Sequence, residues 1–370
     1  MSIDIADALA AASHALETVT GERDQLRLVT RLRGGDRSLV LRAVGDRTGS
    51  VVVRAYEAGE QPPVCWAREV AALRILAPVA GAPVPRLLAS GTEPPVTVLE
   101  DLGSGRSLAD ALLGADPADA ERHLHQWVDA IADLHRETWG LGAQLGPEVA
   151  RLAGQQPRST VDELRNVPEA LGNLVDVPAG LDAEIETLVA ILGSQGHAVV
   201  TPTDACPDNN ILTPAGLRLI DFEFAEYRHP AWDAAYLRVP FPSCWCSWAI
   251  PADVLDQALA RYRRRLAPAR PYVASPAFDA ALDAATLAWT LISTAWFLPA
   301  ALTEQPPIPD DGIVAPTRQA FLHHHMDRVA AARNIDELPA ISRLARTVLA
   351  RLRGRWPLSE LVLQTAPSFR

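Results

Sequence analysis

Three oxygen-bearing side chains stand at spacings suited to phosphoryl chemistry. Asp204 is followed five residues on by Asn209, and Asp221 comes twelve after that. They lie in Thr201-Pro-Thr-Asp-Ala-Cys-Pro-Asp-Asn-Asn-Ile-Leu212 and Leu219-Ile-Asp-Phe-Glu223. A first carboxylate can orient a hydroxyl and take its proton, while an amide and a second carboxylate can hold Mg²⁺ on the phosphates of a nucleotide. Asn210 is a competing amide at this stage, and Asp208 reads as a solvated turn residue. Glu223 fits a second metal contact, a substrate contact or an ordinary surface hydrogen bond.

These residues need a scaffold. Residues 3–18 carry a helical pattern with Ser2 as N-cap. Gln25–Arg33, Ser38–Val44 and Ser50–Tyr56 read as strands, joined by Gly-rich segments with turn chemistry. In the last of them the pleat puts Val52, Arg54 and Tyr56 on one face. A helix over about Val64–Leu76 has Trp66, Val70, Leu73 and Leu76 as its apolar stripe. Strands over Pro85–Ser90 and Val96–Leu102 follow. Beyond Gly103-Ser-Gly105 the pattern turns to Ala/Leu-rich helices at 107–113, 117–138, 181–194, 252–266, 276–302, 315–333 and 337–353. Segment 197–221 reads as short strands around the motif. Gln155–Arg158 and Asn166–Val177 read as irregular, and Pro306–Gly312 as an exposed loop.

The bulk numbers set limits. The chain has 370 residues, 48% of them hydrophobic, and a net charge of −11. An acidic balance argues against nucleic-acid partners, which call for a basic face. All 34 basic residues are Arg, and there is no Lys. Cys65, Cys206, Cys244 and Cys246 lack framework spacing and are expected as reduced thiols of a cytoplasmic protein. The acidic start is unlike a signal peptide. Residues 284–302 are uncharged, but Asp283 and Glu304 flank them, so a buried helix is expected rather than a membrane span. His323-His-His325 reads as a solvated helix segment. Adjacent residues on a helix diverge, so the three cannot share one ion.

The run Asp204–Asn209, Ile220-Asp-Phe-Glu-Phe224 and His229-Pro-Ala-Trp-Asp-Ala-Ala-Tyr-Leu237, with Val98-Leu-Glu-Asp-Leu102 and Leu134-His135, resembles the aminoglycoside phosphotransferase and choline-kinase-like family over about residues 25–300. The resemblance implies an α+β, bilobal protein-kinase-like fold. A small antiparallel-sheet lobe with one helix would span 1–102, and a large mainly helical lobe 103–370. Asp204 would be the catalytic base. The family spacing selects Asn209 over Asn210 as metal ligand beside Asp221. Arg54 takes the place of the family's lysine that grips the α/β-phosphates, with Glu69 as its helix partner. Glu100–Leu102 would be the hinge, offering backbone groups of Glu100 and Leu102 to adenine, and the turn Arg33–Ser38 would cover the phosphates. Asp233 would brace the catalytic loop through backbone N–H groups, with His135 buttressing it.

The cofactors implied are ATP and Mg²⁺. The partner is a small-molecule hydroxyl acceptor, with cationic molecules among the options, and no membrane. Trp245 and Trp248 would border the acceptor, and Asp310 and Asp311 could reach a cationic one. The chain departs from the family at Pro202-Thr203, where His-Gly is usual. A second reading follows from that departure and from Arg54: a nucleotide-binding module without catalysis, acting through a protein partner.

Overall fold

The computed structural model describes residues 3–32, 34, 37–57, 62–193, 195–303, 315–332 and 337–370. Ser2, the Pro306–Gly312 loop with Asp310 and Asp311, and Arg33, Gly35 and Asp36 of the glycine turn lie outside them.

The first helix, α1 (Ile5–Thr20), is capped by Asp4, whose side chain accepts from the Ala6 N–H. A carboxylate at that end also meets the positive pole of the helix. Five strands follow in one antiparallel sheet: β1 (Arg27–Arg31), β2 (Ser38–Gly45), β3 (Gly49–Tyr56), β4 (Leu87–Thr92) and β5 (Pro95–Glu100), in the spatial order β1-β2-β3-β5-β4. Alternation gives the sheet two different faces. Leu39, Leu41, Ala43, Val51, Val53 and Ala55 pack with Ala8, Ala12, Ala15 and Leu16 of α1 in a small core of their own. Val52, Arg54 and Tyr56 point the other way, toward the rest of the chain. The inserted helix α2 (Pro62–Leu76) lies on that side and packs with the large core.

After the sheet come α3 (Leu108–Leu112), α4 (Pro117–Thr138), α5 (Leu145–Ala153), α6 (Thr160–Arg165), α7 (Val167–Leu171) and α8 (Leu181–Leu192). Two small two-stranded sheets follow. β6 (Val199–Thr201) pairs with β9 (Glu226–Arg228), and inside it β7 (Asn210–Thr213) pairs with β8 (Gly216–Leu219). The remaining helices are α9 (Ala231–Ala234), α10 (Ala252–Leu266), α11 (Pro276–Thr303), α12 (Arg318–Ala331) and α13 (Pro339–Arg355). The expected α+β, bilobal architecture is what the chain forms. Helix α7 corrects the irregular reading of its segment.

Helix α11 is the one helix among the described residues long and apolar enough to cross a membrane, yet 56% of its most apolar window is buried within the protein. Its Trp289 indole donates to the Trp232 carbonyl at 2.8 Å, which ties it to α9. The histidine run also needs a correction. His325 is buried and tilts onto Phe321 with ring centroids 4.5 Å apart, while His323 accepts from Arg353.

Candidate active site

Backbone pairing brings the three oxygens together. Asn210 lies opposite Leu219 in the β7–β8 hairpin. The Ile220 N–H continues that ladder to the Asn209 carbonyl at 3.0 Å, so Asn209 sits beside the residue preceding Asp221. The Asn209 amide nitrogen donates to the Asp204 carbonyl oxygen at 2.9 Å and to its Oδ2 at 3.3 Å. That orients the amide and leaves its oxygen unclaimed among the described residues. Asn210 is fully engaged elsewhere: its Oδ1 accepts from the Leu108 N–H at 2.9 Å, and its nitrogen donates to the Pro207 carbonyl at 2.8 Å. The segment after Gly103-Ser-Gly105 is pinned to the same hairpin by the Leu212 N–H, which donates to the Arg106 carbonyl at 2.9 Å. A side chain at Gly105 would collide with the Leu212 carbonyl.

Two backbone conformations here are costly. Thr203 and Asp221 hold φ at 67° and 68°, the left-handed region that L-residues avoid and that collects at functional sites. Thr203 is where the family usually has glycine, so the chain adopts a glycine-like turn without glycine.

Asp204 Oδ1 accepts from Ser243 Oγ at 2.7 Å, and Ser243 Oγ lies 2.9 Å from the Tyr236 hydroxyl. Burial is the largest influence on the Asp204 carboxyl and pushes it up to about 7, with Asp221 adding to the rise and the Ser243 hydrogen bond opposing it. A divalent cation beside it would pull it back down. Cys206 and Cys244 form a disulfide next to this carboxylate, which corrects the expectation of four free thiols; Cys65 and Cys246 alone are free. The bond ties the catalytic loop to the segment that carries Ser243.

Arg54 reaches across from the sheet. Its guanidinium meets Glu69 at 3.2 Å, Asp221 Oδ1 at 2.6 Å and Glu223 Oε2 at 2.5 Å. Burial alone would weaken its charge, but the surrounding carboxylates outweigh that and hold it protonated. Glu69 is fixed in turn by Tyr56 and Thr97 hydroxyls, each at 2.8 Å. Glu223 is buried, and its other oxygen takes Arg37 at 2.6 Å. It is therefore an ion-pair hub rather than a surface group.

Asp233 is fully buried, but it braces the loop through side chains instead of backbone N–H groups. His135 Nε2 lies 3.1 Å away and Arg228 Nη2 3.0 Å away. Arg228 passes the brace on to Thr201, just before the loop, at 2.8 Å.

Two cavities open around these groups. One, of about 700 Å³, has Val52, Arg54, Glu100, Leu102, Asn209 and Asp221 on its walls. The other, of about 730 Å³, is walled by Arg158, Glu163, Thr203, Glu226, Trp289 and Trp296. They meet at Arg37, Asp204 and Ser243, which line both. Trp245 belongs to the first cavity and donates to Asp208 at 2.7 Å, and Trp248 is buried. Trp245 thus stands on the cavity that holds Asn209 and Asp221, and Asp208 is a half-buried turn residue. Trp289 and Trp296 line the other cavity, and they come from the helix whose apolar pattern announced only a core. Nothing local in the sequence marks Arg37 or Ser243.

The donor set suits a hard cation. Among the described residues, no protein donor claims the Asn209 amide oxygen or Asp221 Oδ2. Carboxylates outnumber guanidiniums around them. A neutral amide oxygen with one carboxylate is a ligand pair that leaves Mg²⁺ room for water and phosphate oxygens.

The sequence profile described as the phosphotransferase enzyme family matches residues 28–274. No curated protein matches the chain. Among solved structures, a Ralstonia eutropha protein provisionally named an aminoglycoside phosphotransferase superposes with a TM-score of 0.50 at 16% identity, covering 93% of this chain and 99% of that one. Plasmodium vivax ethanolamine kinase gives a TM-score of 0.50 at 12% identity, covering 90% of this chain and 84% of its own. At such identities the likeness is one of fold, a kinase-like one. The profile match spans well over half the sequence, and with it the chain belongs to the phosphotransferase enzyme family and is a small-molecule phosphotransferase.

Proposed function

We propose that the protein transfers the γ-phosphoryl group of ATP, as its Mg²⁺ complex, to a hydroxyl of a small molecule in the cytoplasm. One observation carries this reading: Asp204, Asn209 and Asp221 line one cavity, and Asp204 also opens onto a second. The first cavity is the nucleotide side. Backbone groups of Glu100 and Leu102 meet the purine there, and Arg54, held by Glu69, meets the phosphates. Asn209 and Asp221 would hold Mg²⁺, which would supply positive charge against the phosphates. Asp204 orients the acceptor hydroxyl and receives its proton through the carboxylate that Ser243 steadies.

The acceptor occupies the second cavity. Trp296 is half exposed there, and its indole donates to Glu163 at 3.3 Å. An aromatic face beside a carboxylate supports a cationic or amino-bearing acceptor. The test is nucleotide consumption over a panel of hydroxylated amines, aminoglycosides and neutral polyols. Turnover that Asp204→Ala leaves unchanged would sink the mechanism. ATP binding without turnover on any acceptor would favour the alternative of a non-catalytic module with a protein partner.

A further inference from the structure

A phosphoryl group in flight carries negative charge between two oxygens, and cations must face it at that point. Five arginines line the two cavities, and only Arg37 lines both. The other four each line a single cavity. Arg42 is held by Asp101 and the Gly103 carbonyl. Arg54 is held by three carboxylates. Arg68 is fixed by the Phe224 and Ala225 carbonyls and by Glu226. Arg158 lines only the acceptor side.

Arg37 is different. Its side chain is 44% exposed, and among the described residues its one ion pair is to Glu223 through Nη2 at 2.6 Å. Its guanidinium lies over the Phe224 ring, 5.0 Å from the centroid. Glu223 holds Arg37 on one oxygen and Arg54 on the other. One buried carboxylate thus aims two cations at the same space, one from the back of the nucleotide cavity and one from the junction.

We infer that Arg37 is a further catalytic residue, whose guanidinium contacts the γ-phosphoryl group of the bound nucleoside triphosphate at the junction with the acceptor cavity. This rests on the proposed function. Arg54 holds the inner phosphates, while Arg37 swings over Phe224 from Glu223 onto the terminal one.

The test is binding, so it needs no acceptor. Affinities for AMP-PNP and for ADP, each with Mg²⁺, are measured by calorimetry on wild type, Arg37→Ala, Arg37→Gln and Arg37→Lys. A lost charge-assisted contact to the terminal phosphate weakens AMP-PNP on the order of 10- to 100-fold in the two neutral variants. ADP affinity stays unchanged, and Arg37→Lys recovers part of the loss. AMP-PNP affinity that is unchanged, or that falls equally with ADP, overturns the assignment to the γ-phosphoryl. Two neutral replacements of an exposed side chain guard against a folding failure, and thermal melting checks it. If wild type binds neither nucleotide, the proposed function itself falls and takes this inference with it.

Discussion

Thr203 holds a left-handed backbone directly before Asp204, at a cost for an L-residue of about 1–2 kcal/mol. Glycine would lose roughly 0.5–1 kcal/mol through its freer unfolded chain. Thr203→Gly is therefore expected to raise the unfolding free energy by about 0.5–1 kcal/mol in urea denaturation. A fall would show that the hydroxyl, 3.3 Å from that of Thr201, matters more than the backbone. Arg54 gives a larger effect. Arg54→Ala leaves Glu69, Asp221 and Glu223 without their shared cation, which is expected to cost about 3–5 kcal/mol of stability, while Arg54→Lys keeps most of it. Equal melting of wild type and the alanine variant would show the cluster relaxes freely. Asp204→Ala is expected to lower turnover by about 10²–10⁴-fold with melting little changed. At this scale the sequence was legible in the spacing of Asp204, Asn209 and Asp221, which the fold brings to one cavity. It was silent on Arg37 and Ser243. They stand 167 residues before and 39 residues after Asp204 and join its cavities only through the folded chain.

The elements show the same division. Strands β2 and β3 and helices α4 and α10 were readable because pleat or helical periodicity persists over enough residues. Helices α6 and α7 run six and five residues, too short for a period to register. The Cys206–Cys244 link was hidden for another reason: its partners lie 38 apart in sequence, and only the packing of the catalytic loop against the 241–248 segment reveals them. Closing such a loop is worth about 2–4 kcal/mol. The urea midpoint is therefore expected to drop when dithiothreitol is added, and Cys244→Ser is expected to show the lower midpoint without reductant. A midpoint indifferent to both would mean the two sulfurs are not joined in solution.

For the whole molecule, the site lies where a sheet-borne cation meets hairpin-borne carboxylates. Ligands that fill the nucleotide cavity contact both halves and so stabilise their union. ATP with Mg²⁺ at a hundred times its dissociation constant is expected to add about 2.7 kcal/mol to stability, read as a rise in melting temperature. EDTA should remove most of that rise, because phosphates facing Asp204, Asp221 and Glu223 without a metal meet like charge. A shift that survives chelation would count against the metal assignment.

The guanidinium on β3 also decides which chemical tools can see this protein. Nucleotide-tailed acylating probes tag kinases at an amine next to the bound phosphates. A guanidinium holds its proton far above neutral pH and offers no such nucleophile, and the chain contains no lysine elsewhere. Surveys built on amine labelling would pass over it even when the pocket is loaded and working.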